Sequence, residues 1–219
     1  PDELLNAAIA RTDSVNPKIN AIAGTMYDMA RESIKRGLPD GPFSGVPFLI
    51  KDLSFAMKGV DAFFGSTLFE GQKSKCESTV VARYRKAGLV LFALTQVPDF
   101  GVLPTTESTF AGITRNPFDR ARTAGGSSGG GAAAVAAGIE PMASASDGGG
   151  SIRIPAAWCG VYGYKASYGR VPSLSRPNAF ASDTPFSFSG PITRTVEDAA
   201  LALNALAGVH PCLLYNSPG

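Results

Sequence analysis

Residues 124–155 read Ala124-Gly125-Gly126-Ser127-Ser128-Gly129-Gly130-Gly131-Ala132-Ala133-Ala134-Val135-Ala136-Ala137-Gly138-Ile139-Glu140-Pro141-Met142-Ala143-Ser144-Ala145-Ser146-Asp147-Gly148-Gly149-Gly150-Ser151-Ile152-Arg153-Ile154-Pro155. Alanine is the best helix former, so Ala132 to Ala137 predicts a helix that stops at Gly138. Pro141 to Ser146 is small and apolar, and predicts a strand delivering Asp147 and the glycines to its end. A Gly-rich loop entering a helix, followed by a strand entering a second Gly-rich loop, is an α/β pattern.

The flanks extend it. Val46 to Ile50 predicts a buried strand ending at Lys51 and Asp52, Ser78 to Lys86 a helix with Gly88 beyond it, and Leu89 to Leu94 a second buried strand. Helical spacing also covers Glu3 to Ser14, with Pro17 ending it, Met26 to Lys35, closing at Gly37, and Val196 to Ala207. Asn20 to Ala23 is a short apolar stretch, and Ser173 to Gly190 reads mostly as loop. The expected fold class is α/β, one domain over residues 1–219, with a parallel or mixed sheet.

Composition removes several function classes. With 219 residues, 44% of them hydrophobic, the chain can bury a sizeable core. The net charge of +2 comes from interspersed signs, which gives no basic stripe for nucleic acid. Asp2 and Glu3 stand where a signal peptide would be positive, and no apolar run is long enough to span a bilayer, so no membrane partner is expected. Cys76, Cys159 and Cys212 suit neither a disulfide framework nor a metal-ligand set, which points to a reducing, cytoplasmic setting. His210 is the single histidine. Any hydrolytic mechanism therefore has to work without a histidine base.

A serine is a weak nucleophile until a base takes its proton, and a lysine kept neutral by burial can be that base. Lys51 follows an apolar strand, where burial would keep it neutral. The glycines before Ser151 let successive backbone N–H groups face one cavity and stabilise an oxyanion, each worth about 3 kcal/mol in the transition state. Other readings stand beside this one. The 125–131 loop could be a flexible linker, although it runs directly into a helix; a phosphate cradle lacks its lysine. Gly-x-Ser-x-Gly occurs at Ser127 and at Ser128, as in a nucleophile elbow, but no buried strand precedes it. Lys51 could be a solvated lysine paired with Asp52, and Cys159 beside Trp158 reads as a buried small hydrophobe.

Taken together, Lys51, the Ser127-Ser128 loop and Asp147-x-Gly-Gly-Ser151-Ile-Arg153-x-Pro155 resemble the amidase signature family. Gly45-Val46-Pro47, Thr114-Arg115-Asn116-Pro117, Cys159-Gly160, Tyr168-Gly169-Arg170-Val171 and Gly190-Pro191 with Arg194 and Asp198 extend the resemblance along most of the chain. It implies that fold, with helices on both faces of a mixed central sheet. It implies Ser151 as acyl-forming nucleophile, Ser127 after a cis peptide as proton relay, and Lys51 as base. The N–H groups of Gly148, Gly149, Gly150 and Ser151 would form the oxyanion hole, with Ser128, Asp147 and Arg153 as supports. The implied reaction is hydrolysis of a small-molecule amide, with no cofactor and no metal.

Members of the family are usually much longer. The chain is thus expected to lack the second half, as a proteolytic product, a truncated expression product or the product of a shortened gene, and to pair with that missing portion or with a second copy of itself. A catalytically silent homologue that only binds is the alternative. Lys165-Ala166-Ser167 replaces the usual Lys-Pro-Thr. Residues 181–189 lack the serine-rich turn, Leu-Asp and glutamine of subunits that make amidated transfer RNA, which favours a free-standing amidase over a glutamine-dependent amidotransferase subunit. Enzymes of linear or cyclic amide oligomers, such as 6-aminohexanoate dimers, are similar.

Overall fold

The computed structural model describes residues 1–173 and 186–210. Cys212 and most of the stretch read as loop after Ser173 lie outside the described residues.

Among the described residues six α-helices and eight strands follow in order: α1 (Asp2–Ile19), β1 (Ile22–Thr25), α2 (Tyr27–Lys35), β2 (Pro47–Lys51), α3 (Thr79–Lys86), β3 (Val90–Thr95), β4 (Glu107–Ser108), β5 (Gly112–Ile113), α4 (Gly129–Ala136), β6 (Met142–Asp147), α5 (Arg153–Trp158), β7 (Tyr162–Gly163), β8 (Phe188–Thr193) and α6 (Val196–Leu206). The main sheet has the order β1-β3-β2-β6-β8-β7, and β4 and β5 form a separate hairpin. The β2 strand runs parallel to both β3 and β6, while β1, β8 and β7 pair antiparallel, so the sheet is mixed.

Alternation along β2 separates two cores. Leu49 packs into a cluster with Leu5 and Ala8 of α1, Ala30 of α2 and Ala132 to Val135 of α4. Phe48 and Ile50 pack into the other, with Val80, Val81 and Tyr84 of α3 and Ala202 and Leu206 of α6. Because successive strand residues point to opposite faces, the two clusters lie on the two sides of the sheet, and helices cover both. Along β3 the register slips by one residue opposite Phe48 and Leu49.

Three local expectations are corrected. The first helix continues through Pro17 to Ile19. Proline forfeits only one hydrogen bond there, and asparagines finish the turn: Asn20 in the left-handed region donates its N–H to Asn16 O, and Asn16 Oδ1 accepts from Ala21 and Ile22 at 2.7 and 3.0 Å. The fourth helix begins at Gly129, inside the glycine loop rather than at the alanines. Two of its glycines are demanded by packing: a Cβ on Gly130 would stand 2.3 Å from Gln96 N and 2.6 Å from Ala21 O, and one on Gly129 2.3 Å from Thr106 Oγ1. Within the stretch read as loop, residues 188–190 are strand, because β8 pairs along the whole of β6. Helix α5 was not anticipated; it is one short helix whose Pro155 lies in the first turn, where a proline is tolerated.

Gly130→Ala should therefore cost about 1–3 kcal/mol through overpacking against backbone, read as a fall of several degrees in thermal midpoint by circular dichroism. An unchanged midpoint would show that the helix can withdraw from β3 at no cost.

Candidate active site

The strand β2 is buried throughout, and its last residue is a lysine with no exposed surface. Lys51 Nζ lies 2.9 Å from Ser127 Oγ, 3.0 Å from Ser146 Oγ and 3.2 Å from Ser146 O. Burial pulls its pKa down to about 7, against the opposing pull of the Asp147 charge. Asp52, the partner expected for a solvated lysine, turns elsewhere: it accepts the N–H groups of Phe63 and Gly65 at 3.0 and 3.4 Å. Burial raises its carboxyl to about 7 despite those bonds. The solvated-pair reading of Lys51 is thus overturned.

Ser127 and Ser128 sit at the start of α4 and are buried. The peptide before Ser127 is cis. A Cβ on Gly126 would fall 2.4 Å from Thr105 O, so this loop is pressed against a neighbouring backbone and is no linker. Among the described residues no strand runs into Ser127, which removes the nucleophile-elbow reading. Ser128 ties the two loops together: its N–H donates to Ser151 O at 3.2 Å and its hydroxyl to Ser146 O at 3.3 Å.

The second loop is organised by one carboxylate. Asp147 Oδ1 accepts the Gly150 N–H at 2.7 Å, Oδ2 accepts the Ile152 N–H at 3.1 Å, and Arg153 closes on both oxygens at 3.0 Å through Nε and Nη2. Burial works to raise this carboxyl, but the Arg153 bonds and the two backbone donors outweigh it and hold it below the usual range. One expectation changes in consequence: the Gly150 N–H, expected in the oxyanion hole, is committed to Asp147 instead. At Gly149 a Cβ would meet no protein atom within 4 Å, so nothing in the packing requires a glycine there.

Ser127, Ser151, Gly148 and Gly149 all line one cleft of about 420 Å³, whose apolar wall is Leu53, Val102, Leu103, Pro104 and Ile154. Among the described residues no hydrogen bond joins the Ser127 and Ser151 hydroxyls; they share the cleft, and Lys51 reaches it through Ser127. Sequence reading missed Ser144, Ser146 and Ser54. Ser144 Oγ accepts the Lys51 N–H at 2.7 Å, and Ser54 Oγ lies 3.3 Å from Ser146 Oγ. The period-two spacing of Ser144 and Ser146 ahead of Asp147 was the available signal. Cys159 is fully buried and its thiol is pushed up to about 12 by that burial, as a structural cysteine should be. His210 Nε2 stands 3.3 Å from Thr79 Oγ1 on α3. No helix among the described residues is long and apolar enough to cross a membrane.

A family model described as Amidase matches residues 3–218. The chain belongs to the amidase signature family. It is 41% identical to an acylamidase of Rhodococcus erythropolis over 95% of this chain and 44% of the relative. It is 42% identical to a glutamyl-tRNA(Gln) amidotransferase subunit from Methylacidiphilum infernorum over 96% of this chain and 42% of the relative. The solved structure of a 6-aminohexanoate cyclic dimer hydrolase complexed with substrate superposes with a TM-score of 0.89 at 37% identity, covering 99% of this chain and 45% of that one. The chain thus spans less than half the length of the relatives it matches. The amidase signature fold expected from the sequence, a mixed sheet with helices on both faces, is the fold observed.

A lysine whose folded pKa is depressed binds its proton more weakly than in the unfolded chain, so stability rises with pH from about 7 to the ordinary lysine value of 10.5. Lys51→Met should then be more stable than the parent at pH 7 by a few kcal/mol, and the gap should close towards pH 10. Urea denaturation at several pH values measures it; a parent more stable than the variant at neutral pH would contradict the buried, weakly basic amine.

Proposed function

We propose that this chain carries the machinery of an amide hydrolase that works through an acyl-enzyme on Ser151, with Ser127 relaying protons to Lys51. The observation that carries this reading is a fully buried amine at 2.9 Å from the hydroxyl of Ser127, a residue that lines the cleft where Ser151 stands. At neutral pH such an amine is partly unprotonated and can accept a proton.

Ser151 Oγ adds to the amide carbon while its proton passes to Ser127 and the Ser127 proton to Lys51 Nζ. The carbonyl oxygen takes the negative charge beside the N–H groups of Gly148, Gly149 and Ser151. On collapse the C–N bond breaks, and the proton returns along the relay to the departing amine. Water then adds to the acyl carbon, giving its proton to the same base, and Ser151 recovers its hydroxyl as the acid leaves. The substrate is a linear or cyclic carboxylic amide whose apolar part lies against Leu53, Val102 and Leu103. Relatives named as acylamidase and as amidotransferase stand at nearly equal identity, so identity does not choose between them; the missing amidotransferase pattern at 181–189 favours the free-standing hydrolase. We propose as partner the additional length that the relatives have and this chain does not.

Incubation with aryl amides should add the mass of the acyl group to the parent chain and nothing to Ser151→Ala, with hydrolysis rising to a plateau as pH increases through about 7. Gly149→Ala should fold as the parent does and lose about tenfold or more in kcat, because its methyl group and displaced N–H spoil the donor array. Equal turnover by Ser151→Ala would end the acyl-enzyme reading, and an unlabelled, inactive parent chain would favour a silent homologue.

A further inference from the structure

Lys51 Nζ has three oxygen neighbours, and a neutral amine can serve them in only one way: two N–H groups to donate and one lone pair to accept. Ser146 O is a carbonyl and takes one N–H. The Ser127 and Ser146 hydroxyls are left to divide the second N–H and the lone pair. A base for Ser127 needs its lone pair facing Ser127, so Ser146 Oγ has to accept from Nζ and send its own proton elsewhere. The hydroxyl 3.3 Å beyond it is Ser54 Oγ.

We infer that Ser54 is a positioning residue for the proposed base: by accepting the Ser146 proton it fixes the direction of the hydrogen-bond chain and leaves the Lys51 lone pair free for Ser127. The inference rests on the role proposed for Lys51. Ser146 is buried, with 5% of its surface exposed at the cleft, and the side-chain acceptor beside its hydroxyl, apart from Lys51, is Ser54 Oγ at 3.3 Å. Ser54 is exposed and lines the cleft, so it can pass a proton on to solvent. Its backbone is unusual for a serine, with φ of 72°, in a left-handed region that side chains other than Gly, Asn and Asp seldom adopt. A glycine would sit there without resistance, yet the position carries a hydroxyl. Without Ser54, the Ser146 proton has the Lys51 lone pair as its nearest alternative, in competition with Ser127. Among the described residues, the charged group whose field acts on Lys51 is Asp147, and its own hydrogen bonds go to Gly150, Ile152 and Arg153.

Ser54→Ala should lower kcat about three- to tenfold, the scale of one neutral hydrogen bond, and leave KM within twofold. Ser54→Gly relieves the backbone and should show the same loss, whereas Ser54→Asn, which suits the left-handed region and keeps an acceptor, should recover most of the rate. The double variant Ser54→Ala with Ser146→Ala should be no slower than Ser146→Ala alone, since the competing hydroxyl is gone. A readout independent of turnover is the titration of Lys51 followed by NMR with isotope-labelled lysine. Loss of the Ser54 acceptor should move the midpoint down, because the ammonium form is the one that obliges Ser146 to donate outward. Recovery by Ser54→Gly, a change confined to KM, additive losses in the double variant, or an unmoved Lys51 midpoint would each overturn the inference. A Lys51→Ala chain that still turned over amides would instead sink the reading on which it rests.

Discussion

One amine taken out of water shapes the rest of this site. At the end of an internal parallel strand there is no solvent for an ammonium group, and the cost of charging it there has to be met by its neighbours or avoided. A carboxylate alongside would have met that cost and kept the proton in place. The fold does the opposite: the adjacent Asp52 is turned away to hold the backbone at Phe63 and Gly65, and the charge of Asp147 is drawn off by Arg153. What remains around the nitrogen are hydroxyls and a carbonyl, partners that stabilise either protonation state without enforcing one.

The glycines that make the sequence conspicuous do not share one purpose. Gly126 and Gly130 are small because another backbone lies against them, at Thr105 and at Gln96, and they fix where the α4 start can sit relative to β3. A Cβ on Gly149 would meet nothing within 4 Å, and the glycine leaves space on the cleft side. Gly150 belongs to neither kind, since its N–H is held by Asp147 and its φ of 122° turns the chain towards Ser151. A run of identical letters thus carries three physical tasks, and composition alone cannot separate them.

Much of the frame was legible. β2, β3 and β6 are continuous apolar or small-residue runs, and α2, α3 and α6 have helical spacing with terminal signals, so local pattern and tertiary role agree. The failures came where tertiary contact overrode local preference. Glycines are poor helix formers, yet Gly129 to Gly131 are helical, and at Gly129 and Gly130 the close packing of neighbours leaves no room for a Cβ. Pro17 should stop a helix and does not, because two asparagines complete the turn. At the site, Lys51, Ser127 and Ser151 could be picked out by kind and order, and Asp147 with Arg153 by proximity. Ser146 offered only its period-two spacing and Ser54 no signal at all, because their part is set by distances of about 3 Å between segments some ninety residues apart.

The seam between β2 and β6 has a further bearing on this molecule. It is the joint between the β1-β3-β2 and β6-β8-β7 halves of the sheet, and its ladder is a single pair, Leu49 with Ala143. Beside that pair the Lys51 N–H is held by a hydroxyl, Ser144 Oγ, in place of a strand carbonyl. Lys51 lies on one side of this joint and Ser144 and Ser146 on the other. A breathing motion that parted the halves by a few ångströms would let water reach the amine and restore its ordinary basicity while each half kept its secondary structure. On the role proposed for Lys51, that chemistry would then fail before the shape on warming, with the single-pair ladder acting as the fuse.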